Sequence, residues 1–160
     1  MMTTLTAKRP NVAIPAPRRA FIPGPRRPAE TIMQPPLGPG PGEMLHIHIN
    51  KRRGYTVVYL AGELDLTASE IAYPTLVNLL RETDPRLIFD MGGVIFADSW
   101  GLSSLWQLSG FAARRSGWVR LSRVAPNVQR IIDMLSRGFP EPLSIYETVS
   151  AAVTGTQLPS

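Results

Sequence analysis

The sequence contains no cysteine. That absence excludes disulfides, thiolate nucleophiles and Cys-based zinc sites. It is compatible with a reducing cytoplasm, and a cytoplasmic location is the expectation. Histidine is nearly absent as well. His46 and His48 are the two present, and they alternate in "LHIHIN" with no acidic cluster nearby, which makes them poor metal ligands. Without further histidines there is no Ser-His-Asp set. Gly92-Gly93 lacks the lysine and the spacing of a phosphate-cradling loop. No catalytic residue, metal or cofactor is therefore expected, and the chain reads as a non-enzyme. No apolar run approaches the length that spans a bilayer. The basic N-terminal residues are not followed by an apolar stretch, so neither a signal peptide nor a transmembrane helix is expected.

Net charge is small over most of the chain and concentrated in one part of it. The formal net charge is +5. Residues 1–43 hold six Lys or Arg (Lys8, Arg9, Arg18, Arg19, Arg26, Arg27) against Glu30 and Glu43, while the remainder is almost balanced. The high isoelectric point thus belongs to the N-terminal segment, and no direct nucleic-acid partner is implied. The same segment holds ten of the sixteen prolines, so it has few backbone donors and little to bury. Residues 1–43 read as a disordered, basic, Pro-rich tail. Within it "PAPRR" recurs as "PGPRR"; it is either an extended linker or a docking segment for a Pro-recognising groove or an acidic surface.

From Met44 the pattern changes. "LHIHIN" alternates like a strand, "RGY" turns, and "TVVYLAGELDL" reads as a second, more buried strand. Thr67-Ala68-Ser69-Glu70 matches a capping box, which predicts a helix opened by Thr67, with Ile71, Leu76, Leu79 and Leu80 facing inward. Pro74 should kink that helix or delay its regular start. "RLIFDM" is a short central strand, followed by "VIFA" and Asp98-Ser99. Leu102, Leu105, Trp106, Ser109, Ala112 and Ala113 then recur at helical spacing up to Gly117. "WVRLS" is a strand. Pro126 suits a first helical turn, Val128, Ile131, Ile132 and Leu135 follow at helical spacing, and Gly138 fits a left-handed helix end. "LSIYE" is a last strand and "TVSAAVT" a last short helix. The order ββαβαβαβα predicts an α/β fold. It would be a small mixed sheet with parallel pairs, covered by helices, with an antiparallel pair formed by the first two strands. The domain is expected over 44–154, with a C-terminal tail at 155–160.

"VVYLAGELDLTAS", "LIFDMGGVIFADSWGLSSL" and "VQRIIDML", in this order and separation, resemble the STAS domain and, within it, the bacterial anti-sigma factor antagonists. The resemblance runs from about Leu45 to Val153. It implies a STAS-like fold and a function. An anti-sigma factor with serine kinase activity would be bound by the unphosphorylated protein, freeing a sigma factor, and phosphorylation of a serine after an aspartate would end the binding. The motif places that serine at Ser99, with Asp98 before it and Gly101-Leu102 after it. The resemblance gives Asp65 a supporting role in partner binding or phosphoryl transfer. The implied contact surface comprises Asp65, Asp98, Ser99, Trp100, Gly101, Leu102 and Ser103. Trp100 departs from the family, whose members usually carry a small residue there.

The residues give an independent case for Ser99. A helix N-terminus presents unpaired amides and a partial positive charge, which suit a phosphate. Asp and Ser are also ordinary helix caps, so Asp98-Ser99 reads equally as a plain helix start, and Trp100 as filler packed on Leu102 or Ser103 or as an exposed interface anchor. The alternative to the switch is a STAS interaction subunit or scaffold of a transporter or signalling complex, with Trp100 as a fixed contact and no phosphorylation.

Overall fold

A computed structural model describes residues 2–6 and 44–156. The strands are β1 (Met2–Thr6), β2 (His46–Arg52), β3 (Tyr55–Leu64), β4 (Arg86–Ala97), β5 (Trp118–Ser122) and β6 (Ser144–Tyr146). The helices are α1 (Leu66–Glu82), α2 (Ser99–Ala113), α3 (Pro126–Leu135) and α4 (Val149–Thr154), with a 3-10 turn at Ser136–Gly138. All six strands lie in one sheet whose spatial order is the chain order. β1–β2 and β2–β3 are antiparallel, and β3–β4, β4–β5 and β5–β6 are parallel. The mixed sheet and the helix order expected from the sequence are both present.

β1 is a correction. The sequence places residues 2–6 in a disordered tail, yet they form an edge strand, with Met2 opposite Asn50 and Thr6 opposite His46. "MTTLT" carries no proline or charge, so it can offer a full ladder of donors to β2, and the prolines that dominate the segment begin beyond it. The rest of the expected tail, Met1 and residues 7–43 with its repeated "PRR", and residues 157–160 lie outside the described residues.

Each parallel pair requires a crossover, and successive right-handed crossovers put their helices on one face. The main core is accordingly built between that face and α1, α2 and α3: Ile47 and Ile49 of β2, Val58 and Leu60 of β3, Leu87, Phe89 and Met91 of β4, and Val119 and Leu121 of β5 meet Leu76, Leu80, Leu102, Leu105, Val128 and Ile132. α4 packs on the opposite face, where Ala152 joins Val57, Ile88 and Tyr146 in a smaller cluster. On that second face the Asp90 carboxylate is almost fully buried and is gripped by both arms of the Arg123 guanidinium, Nε to Oδ1 at 2.8 Å and Nη2 to Oδ2 at 2.7 Å. Burial and the neighbouring Asp90 carboxylate push the Tyr59 hydroxyl above the ordinary value of 10.0.

Four local expectations are revised. α1 begins at Leu66 and is capped by Asp65, whose side chain takes the Ala68 amide; Thr67 sits inside the first turn. Pro74 lies within the helix and does not delay its start. The inward face of α1 is Ala68, Ala72, Leu76, Leu79 and Leu80, which leaves Ile71 exposed one step off that stripe. Gly138 does not adopt a left-handed conformation, because α3 tightens into the 3-10 turn instead. The left-handed helix end occurs at Gly155, φ 73°, which closes α4 by donating its amide to Ala151. Among non-glycine residues, Arg123 (φ 54°) and Ser116 (φ 59°) are left-handed, a conformation that costs such a residue about 1–3 kcal/mol.

Candidate functional site

The site forms where β3 and β4 end and α1 and α2 begin. Leu64 and Ala97 are partners in the parallel ladder, so the next residues, Asp65 and Asp98, leave the sheet side by side. Each is extended, and each caps the helix that follows: Asp65 Oδ1 accepts from the Ala68 amide at 2.8 Å, and Asp98 Oδ1 accepts from the Gly101 amide at 2.6 Å. The Asp98 amide bonds back to the Leu64 carbonyl at 3.2 Å, which ties the two helix starts together.

Ser99 is the first residue of α2 and is exposed. Its carbonyl accepts from the Ser103 hydroxyl at 2.6 Å, one turn on. Trp100 is 66% exposed. It does not pack back onto the helix as filler, and its indole is the largest apolar group offered to solvent at this end. Gly101 and Leu102 correct the expected contact surface. Leu102 is fully buried in the core. Gly101 is buried against the end of β3, where a Cβ would overlap the Leu64 carbonyl. The glycine therefore serves close approach between α2 and β3 within the chain, not the approach of a partner's backbone.

Three further residues belong to this surface and went unread in the sequence: Leu66, Ile95 and Phe96, exposed by 42%, 42% and 50%. Ile95 and Phe96 face solvent together because β4 carries extra residues opposite β3. Tyr59 and Ala61 align with Asp90 and Gly93, and Gly62 and Glu63 with Val94 and Phe96. Each bulge shifts the inside-outside alternation by one residue. Two successive outward apolar residues in "GGVIFA", after a Gly-Gly pair, were the available signal. With Trp100 they are the exposed large apolar residues next in the chain to Asp65 and Asp98, and Phe96 aligns with Glu63 in the ladder.

Among the described residues no group of three or more His, Asp or Glu could hold a metal ion, and no helix is long and apolar enough to cross a membrane.

The order of elements and the paired helix caps define a STAS-type sheet-and-helix unit. A protein-family model for the STAS domain matches residues 46–152, and the chain belongs to that family. Solved structures with the same fold include an anti-sigma factor antagonist from Mycobacterium paratuberculosis (23% identity, 72% of this chain and 96% of that one, TM-score 0.60). The Bacillus cell fate determinant SpoIIAA in its phosphorylated form is also similar (18%, 68% and 97%, TM-score 0.54). So is part of the murine Solute Carrier 26 family member A9 anion transporter (23%, 64% and 17%, TM-score 0.55), of which this chain spans less than a fifth. No curated protein matches the sequence.

Proposed function

We propose that the chain is an anti-sigma factor antagonist-like regulator. In its unphosphorylated form it binds an anti-sigma factor that is also a serine kinase, which frees a sigma factor. Transfer of the ATP γ-phosphoryl group to the Ser99 oxygen, with ADP leaving and the hydroxyl proton passing to a base of the kinase, ends the binding. The chain supplies no catalytic group to this step; it is the substrate.

The observation that carries the reading is the setting of Ser99. It is exposed, it stands on the first turn of α2, and it is flanked by an exposed indole and by the carboxylate that caps the same helix. A partner can reach the serine while Trp100, Phe96 and Ile95 supply apolar contact area. Phosphorylation adds about −1.5 to −2 charges at neutral pH. Beside Asp98 and Asp65 that charge would repel a partner holding ATP phosphates, so the modified form should release. The similar structure of phosphorylated SpoIIAA supports the same reading.

Incubation of the full chain with ATP and the kinase-type anti-sigma factor of its host, followed by intact mass and peptide mapping, tests this. One phosphate on Ser99 and weakened binding of that form are expected. The likeness to part of an anion transporter favours a second reading, a fixed docking subunit. In that case binding depends on Trp100, and Ser99 stays unmodified.

A further inference from the structure

β4 is longer than the strand beside it. Its ladder with β5 ends at Asp90 opposite Ser122, whereas β4 itself runs on to Ala97. Residues 91–97 therefore pair in the sheet through β3 alone, and they do so across two bulges. This overhang delivers Ile95, Phe96, Asp98 and Ser99 to the site. Its far end is fixed by the Asp98 amide on Leu64 and by the tight fit of Gly101 against β3. Something must also fix its root.

We propose that Arg123 is the positioning residue of the site, acting through Asp90 on the root of the β4 overhang. Three observations converge there. The Arg123 fork holds both oxygens of Asp90, and Asp90 Oδ1 also accepts the Gly92 amide at 3.0 Å. The guanidinium lies directly on Gly92, because a Cβ at that position would stand 2.7 Å from Cζ and 2.8 Å from Nε. Arg123 reaches this place only by adopting the left-handed conformation at the end of β5, which most arginines avoid. A bidentate, charge-assisted clamp on a buried carboxylate is geometrically specific. Here it sets the direction in which the overhang leaves the sheet, and hence the placement of Ile95, Phe96 and Ser99. The charge pair is not itself a contact surface, since Asp90 is buried.

The inference rests on the proposed function for its consequence, but its physical core can be read without a partner. Amide exchange is followed in the full chain for wild type, Arg123→Ala, Arg123→Lys and Gly92→Ala. Gly92→Ala removes no charge and needs no left-handed backbone; it only pushes the guanidinium aside, so it carries the test should Arg123→Ala fail to fold. All three variants should speed exchange at 92–98 by about tenfold, with α1 and β2 unchanged. Lysine should not rescue, because it lacks the fork. The double variant Gly92→Ala/Arg123→Ala should be no worse than Arg123→Ala, since both act on one clamp. With the host kinase, the KM for the chain should rise about tenfold while kcat stays unchanged. Unaltered exchange at 92–98, or a uniform rise across the molecule, would overturn the clamp. A wild-type chain that is neither bound nor phosphorylated would instead overturn the proposed function, and the exchange result would still decide the role of Arg123.

Discussion

Asp65 and Asp98 hold equivalent positions at the ends of two neighbouring parallel strands, and each closes the first turn of the following helix with a single carboxylate oxygen. The same pair therefore stabilises the two helix starts and gives the candidate partner surface its negative charge. These two roles separate by substitution. Asp98→Ala should lose about 1 kcal/mol of stability, the usual worth of a helix cap, whereas Asp98→Asn should retain it, because asparagine caps as well. If the charge matters to the partner, both variants should bind differently from wild type. Urea denaturation paired with binding measurements on each variant checks this.

Trp100 and Leu102 are two residues apart and should behave oppositely. Trp100→Ala removes an exposed ring and should change stability by no more than about 0.5 kcal/mol, while weakening partner binding by about 2 kcal/mol or more, as interface anchors do. Leu102→Ala hollows the core beneath α2 and should cost about 2–5 kcal/mol of stability. Thermal melts and titration calorimetry distinguish them, and equal stability losses would contradict the exposed placement of the indole.

Ser99→Ala should melt like wild type and accept no phosphate from the host kinase. Ser99→Glu should mimic the added charge in part and weaken binding. Retained phosphorylation of Ser99→Ala, detected by mass, would move the modified residue elsewhere, with Ser103 the nearest hydroxyl on the same helix.

Gly101→Ala should destabilise the chain strongly, since the added methyl meets the Leu64 backbone carbonyl and not a flexible side chain. The loss belongs to overpacking and should be about 1–3 kcal/mol or more. Partner affinity measured at a temperature where the variant is folded should be affected less than stability.

The Tyr59 hydroxyl, raised first by burial and then by Asp90, gives a pH signature. Its neutral form is favoured in the folded state, so the associated stability is complete below the unfolded tyrosine value of 10.0 and is lost as pH rises through the higher folded value. Stability curves of wild type and Tyr59→Phe should diverge in that alkaline window and coincide near neutrality.

Much of the fold was legible because the strands alternate or run apolar and the helices carry regular stripes. "RLIFDM", "WVRLS" and the Val128–Ile132 pair declare themselves by period alone. What escaped depends on tertiary context. Thr67 has the right neighbours for a capping box, but Asp65 stands where the chain leaves the sheet, and geometry gives it the cap. Ile95 and Phe96 both turn outward through bulges that local pattern does not record. β1 hides because its partner lies far along the chain. In the site, Asp98 and Ser99 were readable from the motif, yet Gly101 and Leu102 in the same motif turned out to be packing residues. Arg123 was invisible, since nothing in "LSRVAP" signals that its side chain reaches back to Asp90.

The coincidence of sheet order with chain order bears on how the molecule assembles. From β2 to β6 every strand adds beside its immediate predecessor, so each closure spans one tight turn or one helical crossover. β1 is the exception: Thr6 must find His46 across some forty residues. That closure carries the largest loop entropy in the sheet, so β1 should join last and leave first, and a nascent chain would hold its N-terminal strand in waiting until β2 emerges.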